Sequence, residues 1–251
     1  MRARARLVAG PRGPFSAPVL LSDPPLVLRP AADAVYLAQG AAGPLGGDRL
    51  ELDVEGPAGR SLRVRAVAAT LALPSESGQP SRVELRARVG EGASLEFLLE
   101  PVVVARGAFV QLVTHLHLAA GARLVWREEV VLGRYGERGG RVCTRVDVEL
   151  DGRPLLRTGS DLCGDDPVTR AASVLGPHRA LGSLLVVRYG EQPPTADPGL
   201  SAAELALPGP GTLLTVAADS ALDVRRRLDH SLAGLAADLI PFPATAKTCS
   251  R

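Results

Sequence analysis

Between Asp48 and Leu156, apolar residues recur at every second position in four runs. These are Leu50, Leu52, Val54; Val83, Leu85, Ala87, Val89; Leu112, Thr114, Leu116, Leu118; and Val142, Thr144, Val146, Val148, Leu150. Charged or polar residues fill most of the gaps. A period of two belongs to a strand with one face on a core, because successive side chains point to opposite faces. Each run is followed by a small turn and a second, more apolar strand. The turns repeat too. Gly59-Arg60-Ser61-Leu62, Gly92-Ala93-Ser94-Leu95 and Gly121-Ala122-Arg123-Leu124 set equivalent leucines 33 and then 29 residues apart, with a weaker fourth copy at Asp151-Gly152-Arg153-Pro154-Leu155. A repeat of this length marks stacked supersecondary units that must lean on neighbours to bury their apolar faces. The pattern predicts an all-β fold, a β-helix or solenoid-like stack of strands.

The flanks read differently. Residues 1–47 form a lead-in of short strands, with Pro24-Pro25 and the small-residue run 39–47 as turns. Residues 48–163 are the repeated body, and 164–251 hold strands, about two α-helices and a frayed tail. Asp165-Asp166-Pro167 is a helix-start signal, predicting a short helix to about Leu175 before Gly176-Pro177 stops it. Segments 181–188 and 212–217 read as strands, and 191–199, with its three prolines, as a loop. A second helix is predicted from an N-cap at Asp219 or Ser220 to about Leu239. At 251 residues the chain fits one large all-β domain, and no composition shift announces a second.

Composition narrows the function classes. One Trp, three Tyr and four Phe leave the core to Val, Leu and Ala, and deny a sugar-binding cleft its usual aromatic platforms. The formal net charge of +2 is spread along strands, with no basic block to neutralise a run of phosphates. Met1-Arg2-Ala3-Arg4-Ala5-Arg6 begins like a signal peptide, but Pro11 and Pro14 interrupt any apolar core, so export is not expected. No stretch approaches the roughly 20 apolar residues of a membrane-spanning helix. Cys143, Cys163 and Cys249 are odd in number and lack metal-finger spacing, which suits a reduced cytoplasmic protein. The chain holds no Gly-x-Ser-x-Gly elbow, phosphate loop, His-Glu-x-x-His or dinucleotide fingerprint, and no enzymatic role is expected.

Three polar residues fall on apolar faces. By strand parity Asp48 shares a face with Leu50, Leu52 and Val54; Thr70 with Leu62, Val64 and Ala66; and Glu128 with Leu124, Trp126 and Val130. A buried carboxylate is costly unless it is paired, hydrogen-bonded or in contact with water or a cation. Carboxylates inside a hydrated passage between stacked sheets could relay a divalent ion. The competing roles are structural: Asp48 follows two glycines and suits a turn cap, Thr70 is ordinary in a strand, and Glu128 has Arg127, Arg134 or a neighbouring coil as candidate partners. His115 and His117 share a strand face with Gln111 and Val113 and read as solvent-side residues. Arg225, Arg226 and Arg227 read as a solvated helix face, with docking as the alternative.

Several motifs together resemble one family. Leu45-Gly46-Gly47-Asp48-Arg49-Leu50, the turn from Gly90 to Glu96, Gly121-Ala122-Arg123-Leu124, the run from Glu128 to Leu132-Gly133-Arg134, and Asp151 to Leu155 occur in the order and spacing of the urease accessory protein UreD (UreH) family, over about residues 15–235. Three motifs depart: Thr70-Leu71-Ala72-Leu73-Pro74-Ser75 replaces a Lys-x-Tyr-Arg-like stretch, Arg127-Glu128 replaces a Trp-Glu pair, and no Pro-Arg-Ile-Trp ending follows Pro241. The resemblance implies a β-helix-like fold with two helices and a cytoplasmic scaffold that docks apo-urease with UreF and the GTPase UreG. It also implies nickel in transit rather than a bound cofactor, with Asp48 and Glu128 as transient ligands and Thr70 lining the passage. The alternatives are a β-solenoid carbohydrate-active enzyme and an interaction module without a metal role.

Overall fold

The computed structural model describes residues 1–10, 18–188 and 201–233. Among these run seventeen strands and one helix. The lead-in supplies β1 (Arg2–Val8), β2 (Val19–Leu21), β3 (Leu26–Pro30) and β4 (Val35–Gln39). The repeated body supplies β5 (Arg49–Gly56), β6 (Ser61–Ala66), β7 (Thr70–Ala72), β8 (Ser81–Val89), β9 (Ser94–Leu98), β10 (Val102–Val104), β11 (Phe109–Leu118), β12 (Arg123–Leu132), β13 (Arg141–Leu150) and β14 (Arg153–Cys163). Then follow β15 (Ala180–Val187), β16 (Ala202–Ala206), β17 (Gly211–Ala218) and α1 (Ala221–Ala233).

The alternating arms become one wall and the more apolar arms the other. One sheet has the order β14-β13-β11-β8-β5-β1-β2; the second runs β16-β17-β15-β12-β9-β6-β4-β3, with β10 beside both β12 and β7. At each repeat the chain crosses from the first sheet to the second, so β5, β8, β11 and β13 stack in parallel, as do β6, β9 and β12. The registers match the sequence period. Leu62, Leu95 and Leu124 are partners across three coils, and Leu52, Leu85, Thr114 and Val146 across four. Gly59, Gly92 and Gly121 occupy the corners at φ +65°, +60° and +68°, a conformation side chains rarely adopt. Leucine, valine and alanine from both walls form the main core, as the scarcity of aromatics requires.

The fourth turn ends the coil instead of extending it. Asp151 and Gly152 both have positive φ, 51° and 71°, the signature of a two-residue hairpin turn. Accordingly β14 returns antiparallel beside β13 in the same sheet. The arginine-rich N-terminus is itself a strand: Ala3, Ala5 and Leu7 are buried, and β1 runs parallel to β5.

The predicted helix over 165–175 is a succession of turns, and α1 is the one helix among the described residues. Local side-chain bonds compete with helix here. The Val168 amide donates to the Asp166 carboxylate at 2.9 Å, and Thr169 Oγ1 accepts from the Cys163 amide at 2.9 Å. At α1 the cap is Ser220, whose hydroxyl accepts from the Asp223 amide at 3.2 Å and donates to its carboxylate at 2.6 Å. Residues beyond Ala233 that the helix prediction included, and the 191–199 loop, lie outside the described residues. Segments 181–188 and 212–217 are strands as expected, β15 and β17. No helix among the described residues is long and apolar enough to cross a membrane.

The second wall is interrupted once. Residues 67–69 separate β6 from β7, and residues 99–101 separate β9 from β10. β12 passes both gaps unbroken, pairing β9 up to Arg127 and β10 from Val130 onward. Glu128 and Glu129 therefore face a gap in the ladder on that side.

A candidate ion passage between the sheets

Parity along β12 turns Leu124, Trp126, Glu128 and Val130 inward. Trp126 is fixed by stacking on Phe97, with ring centroids 4.0 Å apart and planes 4° from parallel. Its indole Nε1 donates to Glu128 Oε1 at 3.0 Å, and Thr114 Oγ1, from the facing wall, donates to the same oxygen at 2.6 Å. Burial pushes the Glu128 carboxyl above its ordinary range, and the Thr114 and Trp126 hydrogen bonds oppose the shift without cancelling it. Neither Arg127 nor Arg134 pairs with it. Arg127 turns to the opposite face and meets Glu129 and Asp229, and Arg134 chelates Glu137.

Two cavities lie between the sheets, of about 80 and 110 Å³. At roughly 10–15 Å³ for one water, each has room for several. The first is bordered by Gln39, Ala66, Ala68, Thr70, Thr114 and Glu128 among apolar neighbours. The second is bordered by Glu128 and by the hydroxyls of Thr144, Thr158, Ser160, Ser183 and Thr215. Glu128 and Val130 line both, so these two side chains form the partition between them. A carboxyl whose pKa burial raises, with Thr114 on one side and the hydroxyls of Thr144 and Ser160 on the other, is a position where a proton and a cation could compete.

Of the three sequence-predicted residues, the fold brings two together. Thr70 borders the first cavity with Glu128, and its Oγ1 accepts from Gln39 Nε2 at 2.8 Å. The gap over 67–69 leaves its inward parity intact. Asp48 is buried at 4 % exposure but lines neither cavity. Its Oδ1 accepts from the Met1 amine at 2.7 Å and its Oδ2 from the Leu45 amide at 2.9 Å, so both oxygens serve the turn and strand that meet there.

Sequence reading missed Thr114 and the hydroxyl lining of the second cavity. The signal was present: Thr114 and Thr144 take inward positions of otherwise apolar runs. It also missed the cluster behind β12, where Glu100, Arg127, Glu129, Arg225 and Asp229 meet from segments over 100 residues apart. Arg225 is thereby half-buried and paired, while Arg226 and Arg227 are exposed as expected.

The histidines are surface residues. His115 lies 3.7 Å from Glu84 and 3.6 Å from Asp147, and His117 bonds Glu149 at 3.0 Å, within the charge ladder on the outer face of the first sheet. His178 joins Asp219 at 2.7 Å and Ser201 at 3.0 Å. The Asp219 side chain is 79 % exposed, so this trio pins the starts of β16 and α1 at the surface rather than orienting a shielded base. No group of three or more His, Cys, Asp or Glu among the described residues has the geometry of a tight metal site.

Comparison with known proteins identifies the family. The profile of the family described as "UreD urease accessory protein" matches residues 15–249. The chain is similar to the urease accessory protein UreD of a Parafrankia species, 46 % identical over 80 % of this chain and 75 % of that protein. It is 41 % identical to the UreD of Streptomyces coelicolor, over 94 % of this chain and 97 % of that protein. To the UreD of Frankia alni it is 39 % identical over 90 % of each.

Proposed function

From the premise that this chain belongs to the UreD family of urease accessory proteins, we propose that it is a cytoplasmic scaffold without enzymatic activity. It docks apo-urease together with UreF and the GTPase UreG, and gives nickel a route toward the urease active site. The observation that carries the nickel reading is Glu128 at the partition of two cavities, one with Thr70 and Thr114 among apolar neighbours and one bordered by five hydroxyls. A hydrated divalent ion entering either cavity meets hydroxyl and amide oxygens that replace part of its water shell. At the partition it competes with any proton on Glu128 and gains one anionic oxygen ligand. One carboxylate among neutral oxygens binds weakly, which suits a relay: a site that holds the ion tightly would stop it. Thr70 and Gln39 line the route on one side, and Thr144 and Ser160 on the other. Asp48 keeps the role its contacts support, as anchor of the turn before β5. No cofactor is held permanently in this reading, and nickel is cargo.

The test is co-expression with the urease subunits, UreF and UreG, measuring nickel per urease and the intact assembly. Glu128→Ala is expected to lower nickel several-fold with the assembly still formed, and Asp48→Ala to act only through the amount of folded protein. Full nickel loading with Glu128→Ala would reduce the protein's part to scaffolding.

A further inference from the structure

The first cavity reaches the outer face of the second sheet. Thr114 and Glu128 border it from within, while Glu100, Arg127 and Glu129 border it from without, at the gap between β9 and β10. α1 lies over this face, its Val224 and Leu228 seated on Gly182. From α1, Arg225 donates through Nε to Glu129 Oε1 at 2.5 Å and through its terminal nitrogens to the two oxygens of Glu100 at 3.0 and 3.3 Å. Arg127 approaches Glu129 Oε1 at 2.9 Å and Asp229 at 2.7 Å. The carboxylates of Glu100, Glu129 and Asp229 thus face the guanidiniums of Arg127 and Arg225, a cluster one positive charge short of neutral. Moreover, the Glu129 side chain is 1 % exposed, yet its Oε2 has no hydrogen-bond partner. A buried carboxylate oxygen without a partner is costly, and a ligand that reached it would offset that cost.

We propose that Glu100 and Glu129 form a divalent-cation site at the outer mouth of the passage, and that the Arg225 guanidinium is its built-in occupant, displaced when the ion binds. This rests on the passage reading above and adds where the ion enters or leaves and what closes that mouth. Charge arithmetic favours the exchange: with Arg225 turned out, a divalent ion and Arg127 together balance the three carboxylates. Arg225 can turn without carrying the helix, because α1 is held by Val224 and Leu228 on Gly182, and the Arg225 side chain already has 20 % of its surface exposed. An arginine bridging two carboxylates also keeps monovalent ions out, since each would have to break charge-assisted hydrogen bonds for a single charge.

The single tryptophan provides the readout, because Trp126 bonds directly to Glu128. Purified full-length chain is mixed rapidly with Ni²⁺, and quenching of Trp126 fluorescence is followed, with acrylamide as a neutral quencher. Arg225→Gln is expected to speed nickel quenching by roughly tenfold, the scale of one lost charged hydrogen-bond set, and to leave acrylamide quenching unchanged. Arg225→Lys, which keeps the charge but cannot bridge both carboxylates, should fall between, and carries the test if the glutamine variant does not fold. Glu129→Gln should slow nickel quenching, and Arg226→Gln, on the exposed face, should match the wild type. Glu128-dependent quenching that is indifferent to Arg225 and Glu129 would overturn the mouth and leave the passage standing. Equal acceleration of nickel and acrylamide quenching would overturn it as general loosening. Absence of Glu128-dependent quenching in every variant would overturn both readings.

Discussion

Glu128 holds its carboxyl where a charge is expensive, and the structure compensates it only in part. Thr114 and Trp126 donate to one of its oxygens, and burial still raises its pKa above the ordinary range. The consequence for stability has a definite sign. In acid, folded and unfolded chains both hold the proton and Glu128 costs nothing. As pH rises past the ordinary carboxylate range the unfolded chain ionises first, so stability falls until the raised folded pKa is passed. Glu128→Gln keeps an acceptor for both donors and removes this penalty. Thermal melting should show the variant gaining on the wild type as pH is raised from about 4 to about 7.5; an advantage that grows in acid instead would contradict a buried carboxyl with a raised pKa. In the proposed passage the same proton would compete with a cation, so ion capture at Glu128 is expected to weaken as pH falls.

At the scale of elements, the seat of α1 depends on one missing side chain. A Cβ on Gly182 would collide with Val224 and press on Leu228, the two buried residues of the helix. Gly182→Ala should therefore cost about 1–3 kcal/mol, the usual range for overpacking. Hydrogen exchange would localise the loss, with faster exchange in α1 and unchanged protection in β8 and β11. Uniform loss across both walls would mean that the helix is not a separable layer. The corner glycines make a different demand: Gly90 has its backbone so close to Ala58 that an added Cβ would lie 2.6 Å from the Ala58 nitrogen. At that corner only a residue without a side chain lets the two coils approach so closely.

At the scale of the molecule, the leucine ladder links coils that are remote in sequence. Leu95 is fully buried between Leu62 and Leu124, with a neighbour on each side. Leu95→Ala should lose about 3 kcal/mol, within the range for buried leucine truncations. Because the coils bury one another's faces, the loss should appear as an earlier single transition in denaturant rather than as a local opening; two separated transitions would show that the coils fold independently. Each coil is also slightly different in what it places inward. Leu52 and Leu85 occupy the ladder position that Thr114 takes one coil later. The polar spot around Glu128 is a local substitution in a regular stack, built where a hydroxyl replaces a leucine opposite a gap in the other wall.

The sequence alone determined the stack: its period of two, its coil length, its corner glycines and the inward parity of Thr70 and Glu128. These depend on local sterics and on hydrophobic alternation, which every coil expresses in the same way. The family membership was legible too, in motifs around those corners. Tertiary structure decided the rest. It turned the expected 165–175 helix into side-chain-capped turns, drew Asp48 away from the cavities to the Met1 amine, and joined Glu129 to Arg225 across 96 residues of chain. Such pairings are set by which surfaces meet after the walls close, and charges separated so far along the chain carry no periodic signal of their meeting.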